Sequence, residues 1–249
     1  YMAQAETIKE EIAKAERRMS ALTAGAAPES EAPVAAATPE LSEPQTKALE
    51  EILGSFMKGK PALIHGITGS GKTEIYAEAA RRVLAEGRNV LYLVPEIALS
   101  RQLEERLFGY FGDRLMTFHS AQTAASKRNI ADRIRKPESR DGYIVLGTRS
   151  SLFLPHHDLG LIIIDEEHDS SYKQDSPAPR YNGRDTALML AKIQRSHVIL
   201  GSATPSLESL YNCQAGKYSL ISLNERFHGS ENSAVEIIDT RAERRKKGM

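Results

Sequence analysis

Six short apolar runs recur along the chain, at residues 62–65, 89–94, 115–119, 143–147, 159–165 and 197–201. They are apolar at successive positions rather than at alternate ones, as in Leu161-Ile162-Ile163-Ile164, so each reads as a strand covered on both faces. Between them lie stretches with helical apolar spacing, at 45–57, 72–86, 97–110, 124–135, 184–195 and 207–215. Strands covered on both faces and alternating with helices imply an α/β domain, a parallel sheet with helices on both faces.

Composition narrows what such a domain can be. The 249 residues allow one or two domains. The longest uninterrupted apolar run, Leu159–Ile164, is far shorter than the roughly 18 residues of a membrane span, so no membrane partner is expected. The opening stretch is charged throughout and lacks the apolar centre of a secretory signal, and the chain reads as an internal piece of a longer protein. The single cysteine, Cys213, leaves no internal disulfide and no Cys-based zinc cluster, so zinc is not expected in these residues and a reducing cytoplasm is the natural setting. Lys plus Arg and Asp plus Glu both number 33, so any nucleic-acid partner must be argued from local sites rather than from bulk charge.

The ends differ from the middle. Residues 1–22 carry Ile8, Ile12, Ala15, Met19 and Leu22 on one helical stripe. Residues 23–40 are rich in Ala, Pro and Ser and read as a linker. Residues 41–240 hold the α/β pattern, and 241–249 form a basic tail, read as a truncation point.

Gly66-Ile67-Thr68-Gly69-Ser70-Gly71-Lys72-Thr73 fits G-x-x-x-x-G-K-[ST], between the run 62–65 and an amphipathic helix. The glycines let backbone N–H groups close on phosphate oxygens, and the following helix points its positive end at them. Lys72 would reach the β and γ phosphates of ATP, and Thr73 would coordinate Mg²⁺. Such a site needs two acids more, and the run ending at Ile164 leads into Asp165-Glu166-Glu167-His168. Acids at the carboxyl end of a buried strand lie in the crevice where α/β sheets bind ligands. Asp165 would hold Mg²⁺, and Glu166 would orient and deprotonate water.

D-E-x-H about a hundred residues after a P-loop resembles the Walker B box of superfamily 2 helicases. Leu200-Gly201-Ser202-Ala203-Thr204-Pro205-Ser206 is similar to their motif III, Leu93-Val94-Pro95-Glu96-Ile97 to motif Ia, and Gly147-Thr148-Arg149-Ser150 to motif Ib. Gln45 stands where a Q-motif glutamine would read adenine. The strings G-x-T-G-S-G-K-T-E, V-P-E-I-x-L, G-T-R-S-S-L-F-x-P and D-E-E-H-D-S-S-Y-K-Q narrow the resemblance to the PriA family of bacterial replication-restart helicases, over residues 41–240.

That resemblance implies a RecA-like P-loop NTPase domain, the first of two motor lobes in a 3′-to-5′ DNA helicase that starts primosome assembly at stalled forks. It implies ATP and Mg²⁺ as cofactors, a catalytic set of Lys72, Asp165, Glu166 and His168, and nucleotide contacts from Gln45, Gly66, Thr68, Gly69, Ser70, Gly71, Lys72 and Thr73. His168 would bridge the Walker B box to motif III. Pro95, Thr148, Arg149, Tyr172, Lys173, Tyr181, Ser202 and Thr204 would bind DNA or couple it to hydrolysis, Tyr172 and Tyr181 by stacking on bases. Implied partners are single-stranded and forked DNA, primosome proteins and single-strand-binding protein. The G-R-x-x-R motif of a second lobe does not occur in the chain, which departs from the family at Asn182-Gly183, where His-Ala is usual.

Other readings stand beside this one. Tyr172 and Tyr181 could pack against the sheet, and His119, His156 and His157 lack metal-ligand spacing. The parent could be another superfamily 2 motor, such as a DEAH-type RNA helicase or a restriction subunit. The isolated lobe could be a nucleotide-binding scaffold without turnover.

Overall fold

The computed structural model describes residues 39–136 and 142–223, so the expected helix at 1–22, nearly all of the 23–40 linker and the tail at 241–249 lie outside the described residues. In chain order the main elements are α1 (Glu43–Met57), β1 (Ala62–Gly66), α2 (Lys72–Ala85), β2 (Asn89–Leu93), α3 (Arg101–Phe111), β3 (Leu115–Phe118), α4 (Ala124–Arg135), β4 (Ile144–Gly147) and β5 (Leu159–Ile164). They continue with β6 (Lys173–Gln174), β7 (Tyr181–Asn182), α5 (Gly183–Gln194), β8 (His197–Ser202), α6 (Leu207–Gln214) and β9 (Ser219–Leu223).

Seven strands form one parallel sheet in the order β3-β4-β2-β5-β8-β1-β9. Successive side chains of a strand point to opposite faces, so each strand feeds two cores at once. Ala62, Ile64, Val90, Tyr92, Leu161 and Ile163 pack with Leu49, Ile52, Ile75, Ala79 and Leu107 from α1, α2 and α3. Leu63, Leu91, Leu93, Ile162, Ile164 and Leu200 pack on the other face with Ile134 of α4 and Ala187 and Ala191 of α5. This two-sided burial is the physical reason the strands are apolar at every position.

Strand order decides what meets what. β8 lies between β5 and β1, with Ile164 opposite Leu200 and His65 opposite Ser202. The segments leaving β5, β8 and β1 are the acidic box, the Ser202-Ala203-Thr204 turn and the Gly-rich loop, so three motifs far apart in sequence emerge side by side.

Helix starts follow local capping chemistry. Ser100, Thr123 and Ser206 accept from the backbone N–H groups of Leu103, Ser126 and Ser209, and Asn182 accepts from those of Arg184 and Asp185. The helix expected from residue 97 begins only at Arg101, because the N–H groups of Ala98 and Leu99 both turn back onto the Pro95 carbonyl. Edge strand β9 and the antiparallel pair β6 and β7 were not anticipated. Two-residue strands leave no periodic signal, and the edge strand β9 alternates instead of running apolar.

Candidate active site

The Gly-rich loop turns between β1 and α2 with Gly69 at φ 81° and Gly71 at φ 78°, conformations that side-chain-bearing residues rarely adopt. Lys72, 8% exposed, donates from Nζ to the Gly66 carbonyl at 2.7 Å and lies 4.0 Å from Glu166 Oε1. Ser70 Oγ is buried with no hydrogen-bond partner among the described residues. A cavity of about 350 Å³ opens over this loop, lined by Thr68, Gly69, Ser70, Gly71, Lys72, Thr73 and Glu74 and closed by Arg106, Asp165 and Glu166. A helix N-terminus, a lysine and an orphan hydroxyl around one cavity suit a chain of phosphates.

Asp165 leaves the end of β5 into a cage of tyrosines. Tyr76 of α2 donates to Oδ1 at 3.2 Å, Tyr92 of β2 donates to Oδ2 at 3.3 Å, and the Glu166 N–H donates to Oδ1 at 3.0 Å. Tyr172 donates to the Asp165 carbonyl at 2.7 Å. Burial, reinforced by the neighbouring Glu166, pushes the Asp165 carboxyl up from 3.8 to about 6, while Lys72 and the hydrogen bonds oppose the rise. Burial, and after it the Asp165 carboxylate, push Tyr76 and Tyr92 well above the ordinary phenol range, so both remain donors at neutral pH. Glu166 takes φ 44°, a strained conformation for a residue with a side chain, and the acid next to the phosphate cavity sits on it. Thr73 and Asp165 both border the cavity, and a hydroxyl together with a carboxylate is a donor set suited to Mg²⁺.

His168 shares a 2.7 Å hydrogen bond through Nδ1 with Ser202 Oγ, and a 3.2 Å one through Nε2 with Thr204 Oγ1. Ser202 Oγ also accepts from the Thr204 N–H at 2.9 Å, so the same hydroxyl ties the turn to the ring. Glu166 Oε2 is 3.6 Å from the same ring.

A second tie between the box and the turn was not anticipated. Glu167 is 2% exposed and accepts from Arg184 Nη1 at 3.0 Å, from Ser206 N at 2.7 Å and Oγ at 3.0 Å, and from Ser209 Oγ at 2.9 Å. It joins the acidic box to the starts of α5 and α6. The only signal in the sequence was an acid inside the box; its arginine partner lies 17 positions on. Tyr76, Tyr92 and Arg106 were missed for the same reason, since each reaches the site across the fold. Gly201 was also missed as a requirement. A Cβ there would collide with the Tyr76 hydroxyl.

The structure places several of the expected residues on contacts within the lobe. Gln45 is 1% exposed; its Nε2 donates to the carbonyls of Ser70 at 3.3 Å and Gly71 at 3.2 Å, and its Oε1 accepts from the Ser42 N–H at 2.8 Å. Gln45 thus clamps the Gly-rich loop to the start of α1. Tyr172 is 2% exposed in the core beneath Asp165, and its ring offers no face to a base. Pro95 and Thr148 are buried turn residues, and Ser202 is buried against His168. Arg149 donates from Nη1 to the carbonyls of Ser171 and Lys173, both at 2.9 Å, which ties the β6–β7 pair down.

Three expected residues do face solvent. Lys173 and Thr204 are exposed, and Tyr181 is half-buried, edge-on to the exposed Phe153 at 5.1 Å with the Arg149 guanidinium 6.0 Å from its ring. At Asn182-Gly183 the chain has its own solution: Asn182 caps α5, and Gly183 fits where a Cβ would lie 3.1 Å from Arg149 and 3.3 Å from Tyr172.

A phosphate cradle on β1, acids on β5 and a hydroxyl turn on β8 between them define a P-loop domain of the helicase type. A family profile described as "Type III restriction enzyme, res subunit" matches residues 38–207, and the chain belongs to that family. Within this class it is similar to replication-restart proteins. It is 46% identical over 206 residues to "Replication restart protein PriA" of Rickettsia prowazekii, covering 83% of this chain and 31% of that one. It is 42% identical over 207 residues to the protein of that name from Bacillus subtilis, covering 82% of this chain and 25% of that one. The chain thus spans about a third or less of the length of these relatives. The fold is likewise similar to that of RecG bound to a three-way DNA junction, at TM-score 0.55 and 24% identity, over 78% of this chain and 25% of that one. The architecture is the RecA-like α/β fold expected from the sequence.

Proposed function

We propose that the chain is the ATP-binding first lobe, residues 41–240, of a bacterial, cytoplasmic 3′-to-5′ DNA helicase acting in replication restart. The observation that carries this is the convergence of Lys72, Asp165, Glu166 and the His168–Ser202–Thr204 bridge at the ends of three neighbouring strands. Backbone N–H groups of residues 69–73 and the start of α2 would hold the phosphates, and Lys72 would exchange the Gly66 carbonyl for them. Mg²⁺ held by Thr73 and Asp165 would neutralise phosphate charge. Glu166 would orient water and take its proton. His168 would pass the state of the site to Thr204 on the surface.

The exposed Lys173, Thr204 and half-buried Tyr181 are the side chains proposed for the single-stranded or forked DNA. Primosome proteins and single-strand-binding protein are proposed as partners of the longer protein. The alternative of a restriction motor shares the family profile, but the named relatives at 42–46% identity are replication-restart proteins.

One lobe is not expected to turn over ATP well. Charge on the transferring phosphoryl group needs an arginine finger worth roughly 10³ to 10⁵ in rate. Arg184 is bonded to the buried Glu167 within the lobe, and Arg106 on the cavity rim is paired with Glu74 at the first turn of α2. The test is steady-state hydrolysis, with and without single-stranded DNA, by this chain and by a longer chain reaching through a second lobe. The proposal expects DNA-stimulated hydrolysis from the longer chain alone. Equal, DNA-stimulated rates from both would overturn the two-lobe mechanism, and no hydrolysis by the longer chain would overturn the helicase reading.

A further inference from the structure

Arg106 borders the phosphate cavity from α3, a helix that no P-loop pattern predicts to contribute. Its Nη2 donates to Glu74 in the first turn of α2, and the two side chains form an ion pair. Glu74 is 4% exposed, whereas the Arg106 side chain is about half exposed on the cavity rim.

The charges around the cavity make this pair informative. Glu74, Asp165 and Glu166 are its acids, and Lys72 and Arg106 are the cations among its lining residues. A cavity built for phosphates but lined by three acids and one lysine would repel its ligand, and in a half-buried site that repulsion is weakly screened. Arg106 redresses the balance, and one of its nitrogens is enough to hold Glu74. A guanidinium has five N–H donors in a planar fork matched to phosphate oxygens. Among the described residues Glu74 is its only hydrogen-bond partner, so most of the fork of this cavity-lining residue remains available. Glu74 follows Thr73 directly, so the fork stands beside the end of the Gly-rich turn remote from Gly66.

We propose that Arg106 is a second nucleotide-binding cation, held by Glu74 and bonding directly to the phosphate chain of a nucleoside di- or triphosphate. This inference rests on the reading that the Gly-rich loop binds nucleotide. Glu74 is then a positioning residue, and the pair joins α3, which follows the Pro95 turn, to the nucleotide.

The experiment measures ADP affinity by calorimetry for the unsubstituted protein, R106Q, R106K, E74Q and the R106Q/E74Q double variant, with the thermal melt of each recorded with and without ADP. R106Q is expected to weaken ADP about 10- to 100-fold, the range of a charge-assisted hydrogen bond. Its ligand-free melt should fall, because Glu74 is left buried and unpaired, and its ADP-induced melt shift should be reduced, with R106K intermediate. The double variant should stay weak, because cancelling Glu74 does not replace lost donors. Full recovery of affinity in the double variant would show that Arg106 only neutralises Glu74, and would overturn the proposal. Unchanged affinity in R106Q would do the same. If R106Q lowers the ligand-free melt, the double variant, which leaves no unpaired charge, decides between the two outcomes. Failure of the unsubstituted protein to bind ADP would instead remove the nucleotide reading itself.

Discussion

Replacing Asp165 with asparagine should stabilise the ligand-free protein while disabling it. The folded carboxyl holds its proton up to about pH 6, mainly because of burial, against 3.8 for an ordinary aspartate. Between those values the native state binds more protons than the unfolded chain, so this group's contribution to stability falls as pH rises from about 4 to about 6. Above that window the ionised carboxylate costs the fold roughly two units at about 1.4 kcal/mol each, about 3 kcal/mol at most. The amide introduced by Asp165→Asn keeps an acceptor for the hydroxyl of Tyr76 and the Glu166 N–H, and its NH₂ can donate to Tyr92. The variant is therefore expected to be about 1–3 kcal/mol more stable at pH 7.5, a gain that shrinks to nothing near pH 4. For a chain of this size that is roughly 2–4 °C in melting temperature per kcal/mol. The assay is calorimetric melting of both proteins from pH 4 to 8 in buffer with a chelator, since a divalent cation would favour the charged form. A difference in stability that is independent of pH, or a destabilised variant at pH 7.5, would refute the assignment of a strained, buried carboxylate at this position.

Lys72→Ala should abolish binding of a fluorescent ATP analogue without loss of the circular dichroism spectrum, and retained affinity in the folded variant would remove the cradle assignment. Arg184→Ala leaves Glu167 charged and buried beside only hydroxyls and one N–H, so it should cost about 3–5 kcal/mol in urea denaturation, whereas an exposed pair such as Arg101 with Glu105 should cost under about 1 kcal/mol. Gly201→Ala drives a methyl into the Tyr76 hydroxyl and should lower both stability and nucleotide affinity; Tyr76→Phe in the same chain should partly restore the fold. In a two-lobed parent, His168→Ala should lower DNA-stimulated hydrolysis more than basal hydrolysis, measured as the ratio of the two rates, because its bonds run to Ser202 and Thr204 rather than to the phosphate cavity.

What could be read without the fold was whatever the chain encodes within a few residues. The Gly-rich turn, the apolar strands and the acids that end Leu159–Ile164 are local: a phosphate cradle needs its glycines next to its lysine, and a strand covered on both faces must be apolar at successive positions. His168 was legible too, because the box that contains it is contiguous. The expected residues that the structure buries or ties down share a physical cause. Gln45, Tyr172 and Arg149 have the right chemistry to meet a ligand, but burial and nearby carbonyls claimed their polar groups first. A side chain's identity states what it can bond to; it does not state what the fold will place beside it.

Sequence alone therefore determined the class of fold, the Gly-rich turn with its lysine and the acids that end β5, because these depend on contacts between residues close in the chain. The tertiary structure alone decided that β8 lies between the Gly-rich loop and the acids, which is what brings Ser202 and Thr204 to His168. It also set the tyrosine cage around Asp165 and the burial that raises its carboxyl, the burial of Glu167 against Arg184, and the place of Arg106 on the rim of the cavity. Those features depend on strand order and on burial, which arise only when segments 17 to 89 residues apart are packed together and water is excluded between them.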